Sequence, residues 1–261
     1  MRNKLLSLFA ILFMLASCQL AKSPIEIANQ TTRSIDTIGS ITYRQSLLRG
    51  ITSGFEEPIP SIRDFYYEQL AGDSVIGAKA HIYYYDSNFV VIHEDIYDGN
   101  RLIRTLKKDT SALVFDLLKY PEFRKKTFWS KLTPYTIRYM LNYAMQHKDH
   151  YKIVLGNDTT INGVVCYSLR TILEGGALIP GMNKMTLDTN RTETMYLFIN
   201  KKNFYPQMVR MEIVFHSNPD KVYYSNHLFS NIRFNPILND TLFNTSDEVT
   251  KGYKITERKP Y

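Results

Sequence analysis

Two groups of side chains have the residue types that a metal site requires. The denser group is His93-Glu94-Asp95, within a predicted strand. Adjacent residues on a strand point to opposite faces of a sheet, so these three side chains cannot converge on one metal ion. His147 and His150 lie near a predicted helix end, but no neighbouring carboxylate set or cysteine completes a tetrahedral zinc site. We interpret them as a surface pair.

Cys166 is the candidate nucleophile, with a distant histidine as its base. It lies in the middle of a predicted strand, between Val165 and Tyr167, where cysteine usually serves as a small apolar filler. The chain has neither a glycine-rich phosphate loop nor a G-x-S-x-G motif. We therefore predict that the protein is not an enzyme and has no catalytic residue, metal or cofactor.

The N-terminus carries the most specific signal in the chain. Residues 1–17 combine a basic start, a short apolar run and small residues, as in a cleaved export signal. Leu15-Ala16-Ser17-Cys18 closely resembles the lipobox of bacterial lipoproteins, in which the cysteine becomes the lipidated first residue. Gln19 follows in place of the aspartate that resembles an inner-membrane retention mark. The resemblance implies a lipid-anchored protein of the bacterial cell envelope, sorted to the outer membrane and facing the periplasm.

The charge balance bears on possible partners. Removal of residues 1–17, which contain Arg2 and Lys4, lowers the formal net charge from +7 to +5. This modest positive charge suits a protein near anionic lipid headgroups. The chain lacks a basic run or an aromatic-basic patch, which excludes nucleic acid as the expected partner. With Cys18 lipidated, Cys166 has no cysteine for an intramolecular disulfide.

Hydrophobic periodicity predicts strands over most of the remaining chain. Alternation of period two appears in residues 40–47, 62–70, 77–86, 89–98 and 101–109, and again in residues 165–173, 195–200, 209–215 and 221–235. Strands buried on one face are typical of a curved antiparallel sheet. The polar residues 18–36 lack a sustained period and are predicted to be a tether. Residues 37–261 then form a single domain.

Two segments have helical patterns. Residues 110–120 are a short helical candidate that Pro121 ends. Thr133-Pro134 is an N-cap followed by a proline, and it opens a second helix that reaches His147. On this helix Ile137, Met140, Leu141 and Ala144 share one face. We expect the second helix to cover the open face of the sheet. Residues 174–192, rich in glycine, are predicted to be a long loop, either a flap packed on the core or a mobile contact loop.

The order of these parts is similar to the LolA/LolB-like family of periplasmic lipoprotein carriers and receptors. Tyr43-Arg44-Gln45 resembles the family's early aromatic-x-Gln, and residues 98–102 resemble its DG-x-x-L turn. Gly156, Gly163, Tyr167 and Leu169 are similar to its G…G…Y-x-L hairpin. The segment from Ile199-Asn200 to Pro206 resembles its ID-x-x-x-x-x-P turn. The resemblance covers residues 37–250.

The resemblance implies an α+β fold: an unclosed antiparallel half-barrel of about ten to eleven strands, capped by helices. It also implies an acyl chain or a lipoprotein as ligand, held between sheet and helices. The residues expected to contact the ligand are Tyr43, Ile137, Met140, Leu141 and Ala144. The alternative is a structural or sensory interaction domain whose own side chains fill the half-barrel.

The lipobox yields the first prediction. Each buried methylene adds about 0.8 kcal/mol of membrane affinity, so a multiply acylated Cys18 holds the protein firmly. Cys18→Ala should abolish palmitate labelling and release the protein from the membrane fraction. A variant that still labels and still sediments with membranes would refute the lipobox interpretation.

Overall fold

A computed structural model describes residues 22–52, 61–73, 77–120, 132–179 and 184–258. Two helices are described, α1 (Pro24–Asp36) and α2 (Pro134–Gln146). The strands of the described ranges belong to one sheet: β1 (Ser40–Ile51), β2 (Ser61–Gln69), β3 (Ala78–Tyr85), β4 (Val91–Tyr97), β5 (Arg101–Leu106), β6 (Ser111–Asp116), β7 (Tyr151–Leu155), β8 (Thr159–Ile161), β9 (Val164–Ile179), β10 (Lys184–Asn200), β11 (Pro206–Phe215), β12 (Val222–Phe234) and β13 (Lys254–Glu257).

The sheet has the order β13-β6-β5-β4-β3-β2-β1-β12-β11-β10-β9-β7, and the short β8 pairs with β9. All pairs are antiparallel except β13 with β6, which is parallel. The two ends of this order do not pair, so the sheet is unclosed. The predicted fold class is confirmed, with 13 strands in place of ten to eleven.

Alternation along the strands defines two faces. On β1, Ile41, Tyr43, Gln45 and Leu47 are buried, while the residues between them are partly exposed. We call the face that carries Tyr43 the inner face. It packs against α1 and α2 through a continuous cluster of buried apolar side chains. The inner face is therefore the protein's main core, as the period of two predicts.

The first correction concerns the N-terminal segment. Residues 18–36 were expected to be a tether, but Pro24–Asp36 is a helix with a complete capping box between Ser23 and Glu26. Its buried side chains, which include Ile27 and Ile35, belong to the core cluster. The expectation was wrong because a narrow apolar stripe on a polar helix suffices once the sheet covers it.

The second correction concerns residues 110–120, which were predicted to be helical. Ser111–Asp116 is instead strand β6, in a hairpin with β5 whose register pairs Ser111 with Leu106. The burial pattern of the segment has the period of a strand: Ala112 and Val114 are buried and their neighbours are more exposed. Pairing with β5 overrides the local helical propensity of the segment.

The third correction concerns residues 174–192, which were predicted to be a loop. β9 continues to Ile179 and β10 begins at Lys184, and these two residues pair, so the described part of the segment is paired strand; residues 180–183 lie outside the described residues. The pairing is irregular between Leu187 and Thr192. Gly175, with φ of +70°, lies opposite this irregularity and adopts a backbone conformation that other residues rarely take. The glycines thus allow a distorted ladder to continue.

The C-terminal segment folds back onto the outer face. A 3-10 turn, Asp240–Phe243, places Phe243 in a buried position, and β13 then adds to the edge at β6. The carbonyl oxygen of Leu242 lies 2.8 Å from Nδ1 of the buried His81 on β3. No pattern in the sequence indicates this contact, because its two partners lie far apart along the chain.

Helix α1 yields the second prediction. Ile35 is fully buried, so Ile35→Ala should lower the free energy of unfolding by about 2–5 kcal/mol. Arg33→Ala, at an exposed position of the same helix, should change it by less than about 0.5 kcal/mol. Denaturant unfolding monitored by circular dichroism measures both values. Equal, negligible effects would restore the tether interpretation.

Candidate functional site

The layer between the two helices and the inner face contains every residue that was predicted from the sequence to contact a ligand. Their exposed fractions are 2% for Tyr43, 1% for Ile137, 6% for Met140 and 0% for Leu141 and Ala144. All five belong to the same apolar cluster. The structure therefore brings them together under α2, in contact with the cluster's other side chains and shielded from solvent.

Local capping fixes where α2 starts. The Thr133 side-chain oxygen accepts a hydrogen bond from the Thr136 backbone N–H at 3.0 Å, and Pro134 occupies the first turn. The helix was predicted from these residues, and it is confirmed. On its outer side Arg138 donates to Asp36 at 2.6 Å, which ties α2 to the end of α1. This exposed pair contributes less than about 1 kcal/mol.

Aromatic rings connect the helix to the sheet. The ring of Tyr43 stacks on that of Phe65 with centroids 4.8 Å apart and meets Phe229 edge-on at 5.4 Å. Tyr67 meets Tyr135 of α2 edge-on at 6.1 Å. Such pairs contribute about 0.5–1.5 kcal/mol beyond the area they bury. The junction between α2 and the sheet is thus made of tyrosine rings, with aliphatic side chains around them.

The hydroxyl groups of these tyrosines are poorly satisfied. Those of Tyr43 and Tyr67 lie near one another, and neither reaches a further partner within the described ranges; the hydroxyl of Tyr135 has no partner there. Burial raises the pKa of Tyr135 to about 12, so its hydroxyl stays protonated. A buried hydroxyl without a partner costs about 1–3 kcal/mol. This layer is therefore less than optimal as a permanent core.

A group of polar side chains lies on the inner face of β3, β4 and β5. Asp95, 1% exposed, accepts two hydrogen bonds from Arg104, at 2.6 and 2.9 Å, and one from the Tyr84 hydroxyl at 2.9 Å. The guanidinium of Arg63 lies 5.0 Å from the centroid of the Tyr84 ring. Sequence reasoning missed Arg63 and Arg104, although Arg63 shares the strand alternation of Phe65.

The triplet His93-Glu94-Asp95 divides between the two faces, as strand geometry predicts. The ring of His93 stacks on Tyr84 of the inner face, with centroids 3.7 Å apart. Glu94 points to the outer face, where it contacts His81 at 3.1 Å and Lys107 at 2.6 Å. Throughout the ranges that the structure describes, no group of three or more His, Cys, Asp or Glu side chains is placed to hold a metal.

The other candidate groups lie apart from one another. Cys166 is fully buried on β9, and burial raises the pKa of its thiol. His147 stacks on Tyr143 with ring centroids 3.9 Å apart, at the end of α2. Cys18 lies outside the described residues. Within the described ranges, no helix is long and apolar enough to span a membrane.

Comparisons with known proteins concern the fold. No protein-family model matches the chain, and no curated protein matches its sequence. Among solved structures, it is similar to a LolA superfamily protein from Nitrosomonas europaea (11% identity, TM-score 0.36, covering 86% of this chain and 99% of that one). It is also similar to the Mycobacterium tuberculosis lipoprotein LppX (10% identity, TM-score 0.44, 83% and 98% covered).

A third similar structure is the MucA/MucB complex of Pseudomonas aeruginosa, with 9% identity and a TM-score of 0.45 over 86% of this chain and 62% of that one. The LolA superfamily, which the sequence motifs resemble, is thus represented among the similar structures.

The buried carboxylate yields the third prediction. Asp95→Asn keeps the shape of the side chain but removes the charge that Arg104 faces, so the free energy of unfolding should fall by about 2–3 kcal/mol. The matched control is Asp109→Asn, at an exposed position of the β5–β6 turn, which should have almost no effect. Thermal unfolding of the two variants measures the difference. A loss no larger than the control's would show that the pair does not stabilise the fold.

Proposed function

We propose that this chain is a lipoprotein of the bacterial envelope that binds an acyl chain, free or carried by a lipoprotein, between the inner face and α2. Its signal peptide is residues 1–17, and lipidated Cys18 anchors it in the outer membrane, facing the periplasm. Pro24–Asp36 belongs to the folded domain. The domain therefore begins closer to the anchor than residue 37.

One observation carries the proposal: buried tyrosine hydroxyls with few partners line the junction between α2 and the sheet. A permanent core is expected to give its tyrosines hydrogen-bond partners. A layer that separates to admit a ligand need satisfy them only in its open state. The flexible side chains of Met140 and Met195, which belong to the same cluster, suit a surface that repacks around an acyl chain.

The second candidate function is a structural or sensory interaction domain filled by its own side chains. The low exposure of the five residues in the layer favours it, since they already contact the apolar cluster. Native mass spectrometry of the mature chain carrying Cys18→Ala distinguishes the two candidates. Co-purified lipid, or saturable uptake of added fatty acid, supports the first. A protein that carries no lipid and takes up no fatty acid supports the second.

Helix α2 yields the fourth prediction. Met140→Trp places a larger ring in the layer and should reduce binding of a fluorescent fatty acid about tenfold or more, since the ring takes the volume of the ligand. Asn142→Trp adds the same ring to the side of α2 that carries Arg138 and should leave binding unchanged. A fluorescence titration measures both, with circular dichroism to verify folding. Equal affinity of wild type and Met140→Trp would place the ligand elsewhere.

A further inference from the structure

The inner face changes character along β1. Starting from the end nearer α1, the inner-face residues are Ile41, Tyr43, Gln45, Leu47 and Arg49. The first four are buried and Arg49 is exposed. Six residues of extended strand separate Tyr43 from Arg49, a distance of about 20 Å. Over this distance the inner face changes from aromatic side chains at Tyr43 to a basic side chain at Arg49.

Strand register gathers further basic groups around Arg49. Arg63 on β2 is opposite Gln45, while His227 and Ser225 on β12 are opposite Leu47 and Arg49. Cross-strand neighbours share a face, so these side chains lie on the inner face beside one another. We call Arg49, Arg63 and His227 the basic rim.

No carboxylate within the described ranges forms an ion pair with Arg63. Asp95, the acidic group that acts on it, is hydrogen-bonded by Arg104 and Tyr84. Arg63 Nε is buried and makes no hydrogen bond within the described ranges. Burial lowers the pKa of Arg63, and the charge of Arg49 lowers it further. Burying a cation without a hydrogen-bonded anion raises the free energy of the folded state. An anion bound at the basic rim would therefore stabilise Arg63.

His227 is likewise buried with an incomplete set of hydrogen-bond partners. It is 2% exposed; its Nε2 lies 3.2 Å from Ser225 Oγ, and its Nδ1 has no partner in the described ranges. Burial lowers its pKa to about 3, and the charges of Arg63 and Arg49 contribute. The ring is therefore neutral at physiological pH. The three side chains therefore form a polar site that is buried at His227, half-buried at Arg63 and exposed at Arg49, and its two guanidinium groups attract an anion.

We infer that the basic rim binds the anionic headgroup, a carboxylate or a phosphate, of the acyl ligand. This inference rests on the proposed function and names the ligand class: an amphiphile with a negatively charged end. The acyl chain of the ligand extends from the basic rim over Phe229 and Tyr43 towards α2. Arginine suits this role, because its planar guanidinium makes paired hydrogen bonds to carboxylate and phosphate oxygens.

The test compares two probes of equal chain length, palmitate and hexadecanol, each displacing a neutral hydrophobic dye from the mature chain carrying Cys18→Ala. Wild type should bind palmitate about tenfold or more tightly than hexadecanol, the size expected of a hydrogen bond to a charged group. Arg63→Gln and Arg49→Gln should each remove that preference without changing hexadecanol affinity. Arg233→Gln, an exposed arginine opposite Thr42 on the outer face, should behave as wild type.

Each other outcome has a defined meaning. Equal binding of the two probes, or a preference that survives both substitutions, overturns the headgroup site and leaves the proposed function standing. Failure of both probes to bind overturns the proposed function and the inference with it. If inorganic phosphate alone raises the melting temperature through Arg63 while palmitate is not preferred, the site takes a free anion and the headgroup assignment is wrong. If Arg63→Gln does not fold, Arg49→Gln at the exposed rim decides.

Discussion

The pairing of β1 with β12 is the interaction on which the rest of the structure depends. It joins the N-terminal meander, β1 to β6, to the C-terminal meander, β7 to β12, and makes them one sheet. The contact closes a loop that spans most of the chain, so it forms only when many side chains are buried with it. Both parts of the candidate site lie across this seam: Tyr43 meets Phe229, and Arg49 lies opposite Ser225.

A sheet joined in this way leaves a large apolar face that a single helix does not cover. The chain supplies α1 and α2, which the Arg138–Asp36 pair connects at their ends. Most of their stability comes from burial against the sheet, because isolated helices of this length are marginal in water. The tyrosine junction belongs to this buried layer, and the hydroxyl groups of Tyr43, Tyr67 and Tyr135 are poorly satisfied within the described ranges. A buried hydroxyl without a partner lowers stability, so the junction is stabilised less than a fully satisfied core would be.

The polar part of the inner face obeys a different constraint. Asp95 is buried and pairs with the partly exposed Arg104, and the hydrogen bonds that it accepts from Arg104 and Tyr84 fix all three side chains. The same carboxylate also favours the charged form of Arg63 electrostatically. A network of hydrogen-bonded charges therefore stabilises this part of the inner face, and Arg63 of the basic rim lies beside it, over the ring of Tyr84. The same strand alternation that builds the core places these groups together.

The sequence alone determined the strands, the class of the fold and the start of α2, because alternation and capping are local properties of neighbouring residues. It also placed Tyr43 and the apolar face of α2 in one layer. It did not reveal helix α1, strand β6 or the pairing of β9 with β10 within residues 174–192, since each takes its form from pairing or packing with another element, which a local pattern does not show. Only the tertiary structure assembled Arg49, Arg63 and His227. Their proximity depends on the register of three strands, and register is fixed by the burial of the whole face.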